Sequence, residues 1–286
     1  MKLSSELMLK QNALRIRAGM IRAFTANKGG HIGGSLDLAD VMSVVYTDFM
    51  RIKPQEPDWE NRDYMIFSKG HAGPALYSTL AWKGFFPQDR LENLNNSNSL
   101  LPGHCDRIKV PGVDATSGSL GQGLSIACGV ALAAKAKESD QRIFCVIGDG
   151  EAAEGQIWEA AQCAAHFKLN NLIAFLDWNN KQIDGTNDEV MSLGDPVQKF
   201  KAFGWNAVLV EGTNVKAIQR CIVDALDSVD DKPTMIVLQT VKGQGAKCIM
   251  EMTNNHCIGF SENIRKETIC DLQEQAAKLG MEVSFS

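Results

Sequence analysis

The stretch Cys145-Val-Ile-Gly-Asp-Gly-Glu-Ala-Ala-Glu-Gly-Gln156 decides how the fold is read. An apolar run over 143–147 has strand length and stops at a glycine, and a carboxylate, Asp149, then stands between Gly148 and Gly150. A turn alone needs only one glycine or one aspartate. A helical pattern over 156–167 follows at once, so this Gly-Asp-Gly turn joins a buried strand to a helix start.

The alternation continues downstream. Strand patterns at 172–176, 207–210 and 235–238 are separated by helical patterns at 196–203 and 215–228. Strands alternating with helices predict right-handed βαβ units and a parallel sheet. The strands are apolar throughout, which suits a sheet covered by helices on both faces. Upstream, helices are expected over 4–27, ending at Asn27-Lys-Gly-Gly, and over 36–50, 72–82 and 120–137, with a short strand at 64–67. The Ala-rich 120–137 segment has so few polar residues that burial on most of its sides is expected. Residues 95–119, rich in Asn, Ser, Gly and Pro, read as a long loop, and the tail from Ser261 as a helix packed on the outside. No linker or repeat interrupts the pattern, so one α/β domain is expected over 1–286.

The bulk properties narrow the classes of function. The chain has 286 residues, is 44% hydrophobic and carries a net charge of -5. It has no basic run longer than two residues, which argues against nucleic acid as a partner. No stretch of about 20 apolar residues predicts a membrane span, and the charged, amphipathic N-terminus lacks the apolar core of a signal peptide. The eight cysteines include no C-x-x-C pair and read as reduced thiols in a cytoplasmic protein.

Ligands of an open parallel sheet sit at the carboxyl ends of its strands. A helix N-terminus there favours phosphate, yet the Asp149 carboxylate repels it. A divalent cation between the two removes the conflict, and magnesium binds through few protein groups plus phosphate oxygens. The next strand runs into Asp177-Trp-Asn-Asn-Lys-Gln, which puts Asn179 at the neighbouring strand end.

Gly-Asp-Gly followed about 30 residues later by Asn-Asn resembles the metal–diphosphate motif of thiamine diphosphate enzymes. Gly30-His31-Ile-Gly-Gly-Ser, Ser68-Lys-Gly-His71-Ala, Gly103-His104-Cys-Asp and Thr116-Ser-Gly-Ser-Leu-Gly-Gln-Gly123 resemble, in order, motifs of the transketolase family. The resemblance runs from about residue 10 to 260. It implies a thiamine diphosphate-binding fold in which Asp149 and Asn179 ligate Mg²⁺ or Ca²⁺ by side chain and Lys181 by its carbonyl. It also implies that the Gly150 N–H and His71 meet the diphosphate and that Gly118 and Leu120 hold the thiamine. His31 and His104 would line the reacting carbon, with His256 as a fourth, more loosely matched histidine. These histidines are the implied catalytic set, acting on substrate hydroxyls as imidazoles that give or take a proton near neutral pH. His166, inside a helical pattern, reads as structural. Glu154 and Glu159 follow the metal turn: in the family such glutamates meet the pyrimidine domain across a subunit boundary, though acids at a helix start also complement its dipole. Cys105 stands where the family often has proline, and Trp178 where it often has a second acid or a small residue.

The family's pyrimidine-binding domain, with its activating glutamate, is not found before Ser286. The resemblance therefore points to the N-terminal subunit of a split transketolase, inactive alone, self-associating as a dimer within a 2+2 heterotetramer. The implied activity is transfer of a two-carbon ketol unit between sugar phosphates, with the pentose phosphate pathway as the default setting. Two other readings stay open at this stage. One is a subunit of another thiamine diphosphate enzyme, of the dehydrogenase E1 α or 1-deoxyxylulose-phosphate synthase kind. The other is a cofactor-binding protein without catalysis.

Overall fold

The computed structural model describes residues 2–24 and 29–285. Helix α1 (Glu6–Ala23) starts at Ser5, whose hydroxyl accepts from the Met8 N–H. Its expected end at Asn27-Lys28 lies outside the described residues. The short strand β1 (Gly29–Gly30) is followed by α2 (Gly33–Leu36) and α3 (Ala39–Val44). The single helix expected over 36–50 is thus divided. Its hydrogen-bond pattern breaks at Asp37–Leu38, where the Asp37 carboxylate is drawn to the distant Gly243 and Gln244 N–H groups. Its last turn, Val45–Phe49, widens so that the Met50 N–H reaches the Val45 carbonyl.

Strand β2 (Tyr64–Phe67) and helix α4 (Gly73–Lys83) precede the long loop, as the sequence predicts, and α5 (Gln122–Ala136) follows it. Then come β3 (Ile143–Gly148), α6 (Gly155–His166), β4 (Leu172–Trp178), α7 (Asn187–Val190) and α8 (Pro196–Ala202). The chain continues through β5 (Asn206–Glu211), α9 (Val215–Leu226), β6 (Thr234–Gln239), α10 (Lys247–Met250), β7 (Ile258–Gly259) and α11 (Glu262–Lys278). Among the described residues, no helix is long and apolar enough to cross a membrane.

Five strands form the main sheet in the order β2-β3-β4-β6-β5, all parallel. Their side chains alternate between two apolar layers. Phe144, Val146, Ile173 and Phe175 face α1, α3, α4 and α9, whereas Cys145, Ile147, Ala174 and Leu176 face α5, α6 and α8. Helix α11 packs on α1 at the outside of the first layer. Double coverage fails at the edge strand β5, where Val208 and Leu209 are exposed. Helix α5 also departs from expectation. Only the face carrying Gly123, Leu124, Ala127, Cys128, Ala131 and Ala134 is buried, and Ile126 and Leu132 face outward.

Parallel pairing brings the strand ends together. Gly148 pairs with Asp177, and Asp177 with Leu238. The Ser68 N–H bonds to Val146 O and the Thr240 N–H to Trp178 O just past the last strand residues. A second small sheet, β1 antiparallel to β7, ties Gly30 to Ile258 and so draws the loops of His31 and His256 to the same edge.

Gly123 lets α5 seat against this edge. A Cβ there would lie 2.4 Å from Ser68 Cα, a main-chain atom that cannot swing away. Gly123→Ala is expected to destabilise the chain by about 1–3 kcal/mol through overpacking. Gly129, on the same helix, has open space around its Cβ position, so Gly129→Ala should stabilise by about 0.4–1 kcal/mol. Urea unfolding of the two variants measures both, and equal effects would refute the packing account.

Candidate functional site

The loops after β2, β3, β4 and β6 enclose a cavity of about 270 Å³ whose wall includes Lys69, His71, Leu120, Asp149, Gly150, Glu154, Asn179, Lys181, Lys242 and His256. Asp149 is buried at its floor. Its Oδ1 accepts from the Gly150 N–H at 2.8 Å, and its Oδ2 from the Asn180 N–H at 2.7 Å and from Asn187 Nδ2 at 2.9 Å. The Gly150 N–H, expected to face a diphosphate, is therefore turned onto the aspartate beside it. Asn179 Oδ1 accepts from the Lys181 N–H at 3.0 Å, and Lys242 Nζ donates to Lys181 O at 2.8 Å.

Behind this wall lies a buried polar layer that local sequence pattern did not single out. Lys69 Nζ and Thr240 Oγ1 both donate to Asp177, and Asp37 accepts from the Gly243 and Gln244 N–H groups. Glu151 receives Ser68 Oγ and the Gly121 and Gly148 N–H groups, which fastens the start of α5 to the Gly-Asp-Gly turn. A signal for Lys69 was present, since it sits inside Ser68-Lys-Gly-His71. Asp37, Lys242 and Glu151 gave none, because each looks like an ordinary polar residue near a turn or helix.

Burial governs the charges. It raises Asp149 and Glu151 above the usual carboxylate range and Asp37 well above it, with Asp177 adding to the effect at Asp37 and Asp149. Burial also opposes the charge of Lys69, but Asp177 and Asp37 outweigh it and keep that ammonium above its ordinary value. For Lys242, burial and then Lys69 bring the pKa down to about 8.

Four of the five histidines meet at the mouth. His31 lies 5.3 Å from His71, 5.4 Å from His104 and 5.2 Å from His256 between ring centroids, and His71 lies 4.9 Å from His256. His166 stacks edge-on with Phe167, away from the cluster. Burial followed by the Lys69 charge lowers His71 to about 2, and burial followed by the Lys242 charge lowers His256 to about 3. His31 is lowered by burial and then by His104. These three imidazoles are neutral near neutral pH. Gly118 adopts φ +147°, and a Cβ there would come within 3.1 Å of His104 Cδ2, so glycine is what lets the loop pass beside that ring. Leu120 and Glu154 stand at the exposed rim, and Glu159 is exposed on α6.

The residues present suit a metal-bridged diphosphate. No three or more His, Cys, Asp or Glu side chains among the described residues are arranged to hold a metal by themselves. A cation at Asp149, Asn179 and the Lys181 carbonyl would complete its shell with ligand oxygens, as magnesium prefers. Lys69 and Lys242 supply positive charge, and the buried His256 Nδ1 has no hydrogen-bond partner among the described residues.

Sheet, strand-end turns and histidine mouth together define an α/β cofactor-binding domain of the thiamine diphosphate class. Residues 9–283 match the family model described as the transketolase thiamine diphosphate binding domain, and the chain belongs to that family. It is 41% identical over 273 residues to the 6-deoxy-6-sulfo-D-fructose transketolase subunit SqwG of Clostridium sp. (strain MSTE9), covering 94% of this chain and 99% of that one. It is 36% identical over 278 residues to one subunit of the apulose-4-phosphate transketolase of Phocaeicola vulgatus, covering 97% and 96%. A solved transketolase from Pichia stipitis superposes with a TM-score of 0.86 at 31% identity. That match covers 99% of this chain and 42% of the Pichia chain, so the chain spans less than half of that single-chain enzyme.

The depressed histidines make stability depend on pH. The unfolded chain takes up protons at these positions below about pH 6.5, whereas folded His71 and His256 resist protonation. Their contribution is therefore complete above that pH and lost as pH falls. Thermal midpoints measured at about pH 8 and about pH 5 should fall less in His71→Gln than in the parent. The buried carboxylates are common to both proteins and cancel in the comparison. An equal fall would show that His71 titrates freely in the folded chain.

Proposed function

We propose that this chain is the diphosphate-binding subunit of a two-chain, thiamine diphosphate- and Mg²⁺-dependent transketolase. The observation that carries the reading is coverage. Relatives named as transketolase subunits are matched almost end to end, whereas single-chain transketolases are matched over 42% of their length. The four-histidine mouth above a Gly-Asp-Gly and Asn179 turn pair supports catalysis rather than storage of a cofactor. It also favours transketolase over a dehydrogenase E1 α or 1-deoxyxylulose-phosphate synthase subunit.

In this reading Asp149, Asn179 and the Lys181 carbonyl hold the cation, and Lys69 and Lys242 balance the diphosphate charge. The Gly150 N–H exchanges its bond to Asp149 for one to the diphosphate. Bound thiamine diphosphate supplies a nucleophilic carbon suited to breaking and forming carbon–carbon bonds next to a carbonyl. His31 and His104 take and return protons at substrate hydroxyls, and His71 and His256, which resist protonation, hydrogen-bond the bound ligand as neutral imidazoles. Gly118 and Leu120 flank the thiamine, and Glu154 stands at the rim where a pyrimidine-binding partner subunit would close the site. The exposed apolar groups Leu120, Ile183 and Val190 on that rim suit burial by such a partner. The donor is an anionic ketose. Relatives named for a sulfonated ketose and for apulose 4-phosphate make both a sulfonate and a phosphate donor worth testing.

Two measurements test this. Asp149→Asn keeps the shape of the side chain and removes its charge. In excess Mg²⁺ it should weaken thiamine diphosphate binding at least about tenfold, or about 1.4 kcal/mol. Unchanged affinity would remove Asp149 from the metal site. Second, the purified chain with thiamine diphosphate, Mg²⁺, a phosphorylated or sulfonated ketose donor and an aldose phosphate acceptor should show no transfer until a pyrimidine-domain subunit is added. Turnover by the chain alone would overturn the two-chain reading.

A further inference from the structure

We propose that Asp37 and Asp177 are positioning residues for Asn179, holding the nitrogen of its carboxamide so that the oxygen faces the cation. The inference rests on the reading of Asn179 as a metal ligand. A terminal carboxamide rotates in a broad, roughly two-fold well, so an unrestrained asparagine presents oxygen or nitrogen with little preference. At Asn179 three contacts remove the choice. Nδ2 lies 3.1 Å from Asp37 Oδ2 and 3.1 Å from Asp177 Oδ2, and Oδ1 accepts from the Lys181 N–H at 3.0 Å. Turning the amide over would set its oxygen against two carboxylate oxygens and its NH₂ against an N–H. All three contacts would become repulsive. The Lys181 N–H occupies one lone pair of Oδ1 and leaves the second for a cation.

The two aspartates are themselves fixed, so they can act as a template. Asp37 Oδ1 takes the Gly243 N–H at 2.7 Å and the Gln244 N–H at 3.1 Å, which leaves Oδ2 for Asn179. Asp177 Oδ1 takes Thr240 Oγ1 at 2.6 Å, and its Oδ2 is shared between Lys69 and Asn179. Both aspartates are buried, at 1% and 0% exposure, so water does not compete for these bonds. Asp37 arrives from 142 positions earlier in the chain. It thereby links the loop that carries His31 to the orientation of a ligand at the end of β4. Partners that orient a metal ligand in this way typically contribute about 10–100-fold to metal affinity.

The test titrates Mn²⁺ into the full chain with excess thiamine diphosphate, reading free Mn²⁺ by electron paramagnetic resonance. Asp37→Asn keeps one acceptor oxygen for Gly243 and Gln244 but turns an NH₂ toward Asn179. It should weaken Mn²⁺ binding about 10–100-fold, as Asn179→Ala should. Ser78→Ala, which removes a buried bond to Ile16 O between α4 and α1 and touches neither aspartate nor Asn179, should lower the thermal midpoint while leaving Mn²⁺ affinity within about twofold. If Asn179→Ala loses the metal and Asp37→Asn binds it within that same margin, the positioning role is wrong and the metal reading stands. A large affinity loss in Ser78→Ala would make the effect one of general packing and equally overturn the role. If Asn179→Ala binds Mn²⁺ normally, the metal reading itself fails, and this inference with it. Should Asp37→Asn not fold, the ¹⁵N-labelled parent gives the answer. Its Asn179 side-chain amide protons should exchange far more slowly than those of an exposed asparagine, and exchange at the exposed rate would refute the restraint.

Discussion

The site depends on one register: Gly148 of β3 opposite Asp177 of β4. Parallel pairing at that position sets the Gly-Asp-Gly turn beside the Asp177-Trp-Asn turn, and the Asp149 N–H bonds to Asp177 O at 3.2 Å across the join. A slip of one residue would reverse which side chains enter which apolar layer. It would turn Phe144 and Cys145 each to the wrong layer and carry Asp149 away from the Asp177 turn. The close-packed layers on either side therefore hold Asp149 and Asn179 in place. The histidines are fixed less directly, through the two-residue pairing of Gly30 with Ile258 and through Tyr77, whose hydroxyl donates to His104 O at 2.8 Å.

That register brings together charges the fold must otherwise resist. Asp37, Asp149, Glu151 and Asp177 are buried within one cluster, with Lys69 and Lys242 as its ammoniums. The desolvation penalty is several kcal/mol per buried ion, so every member needs partners, and nearly every oxygen has one or two. The upward displacement of Asp37, Asp149 and Glu151 is the residue of that cost. A divalent cation and a diphosphate entering together would add charges of both signs to the cluster. Either alone would leave a larger imbalance, which is the electrostatic reason to expect coupled binding.

Much of this was legible in the sequence, for reasons that differ by element. Four strands of the main sheet are readable because a doubly covered parallel strand is a short apolar run bounded by polar turns, and the edge strand β5 because its run over 207–210 is apolar even where it is exposed. Asp149 and the histidine motifs stand out in the sequence through the glycines beside them, and Asn179 through its place just past the next apolar strand. The sequence predicts one continuous helix over 36–50 because the break comes from a tertiary bond, Asp37 to the loop at 243–244, which local pattern does not encode. Helix 120–137 was expected to be buried on most sides because alanine and glycine suit a buried face and an exposed one equally. Nothing in the sequence marks Lys242, because a lysine near a turn is ordinarily solvated. Only the fold reveals that it is buried and bonded to the Lys181 carbonyl.

The cavity is asymmetric, and the asymmetry separates two tasks. Its inner end is lined by ions and main-chain groups already bonded to one another, a preorganised surface that gives up little entropy when it meets charge. Its outer end is a rim on which Leu120, Ile183 and Val190 stand exposed around neutral imidazoles. At an open rim water competes with these imidazoles for the hydroxyls they would hydrogen-bond. Covering the rim with another apolar surface would expel that water and strengthen each polar contact beneath it. On the proposed reading the inner end holds the cation and diphosphate, and the mouth is completed by a second surface that belongs to the partner subunit.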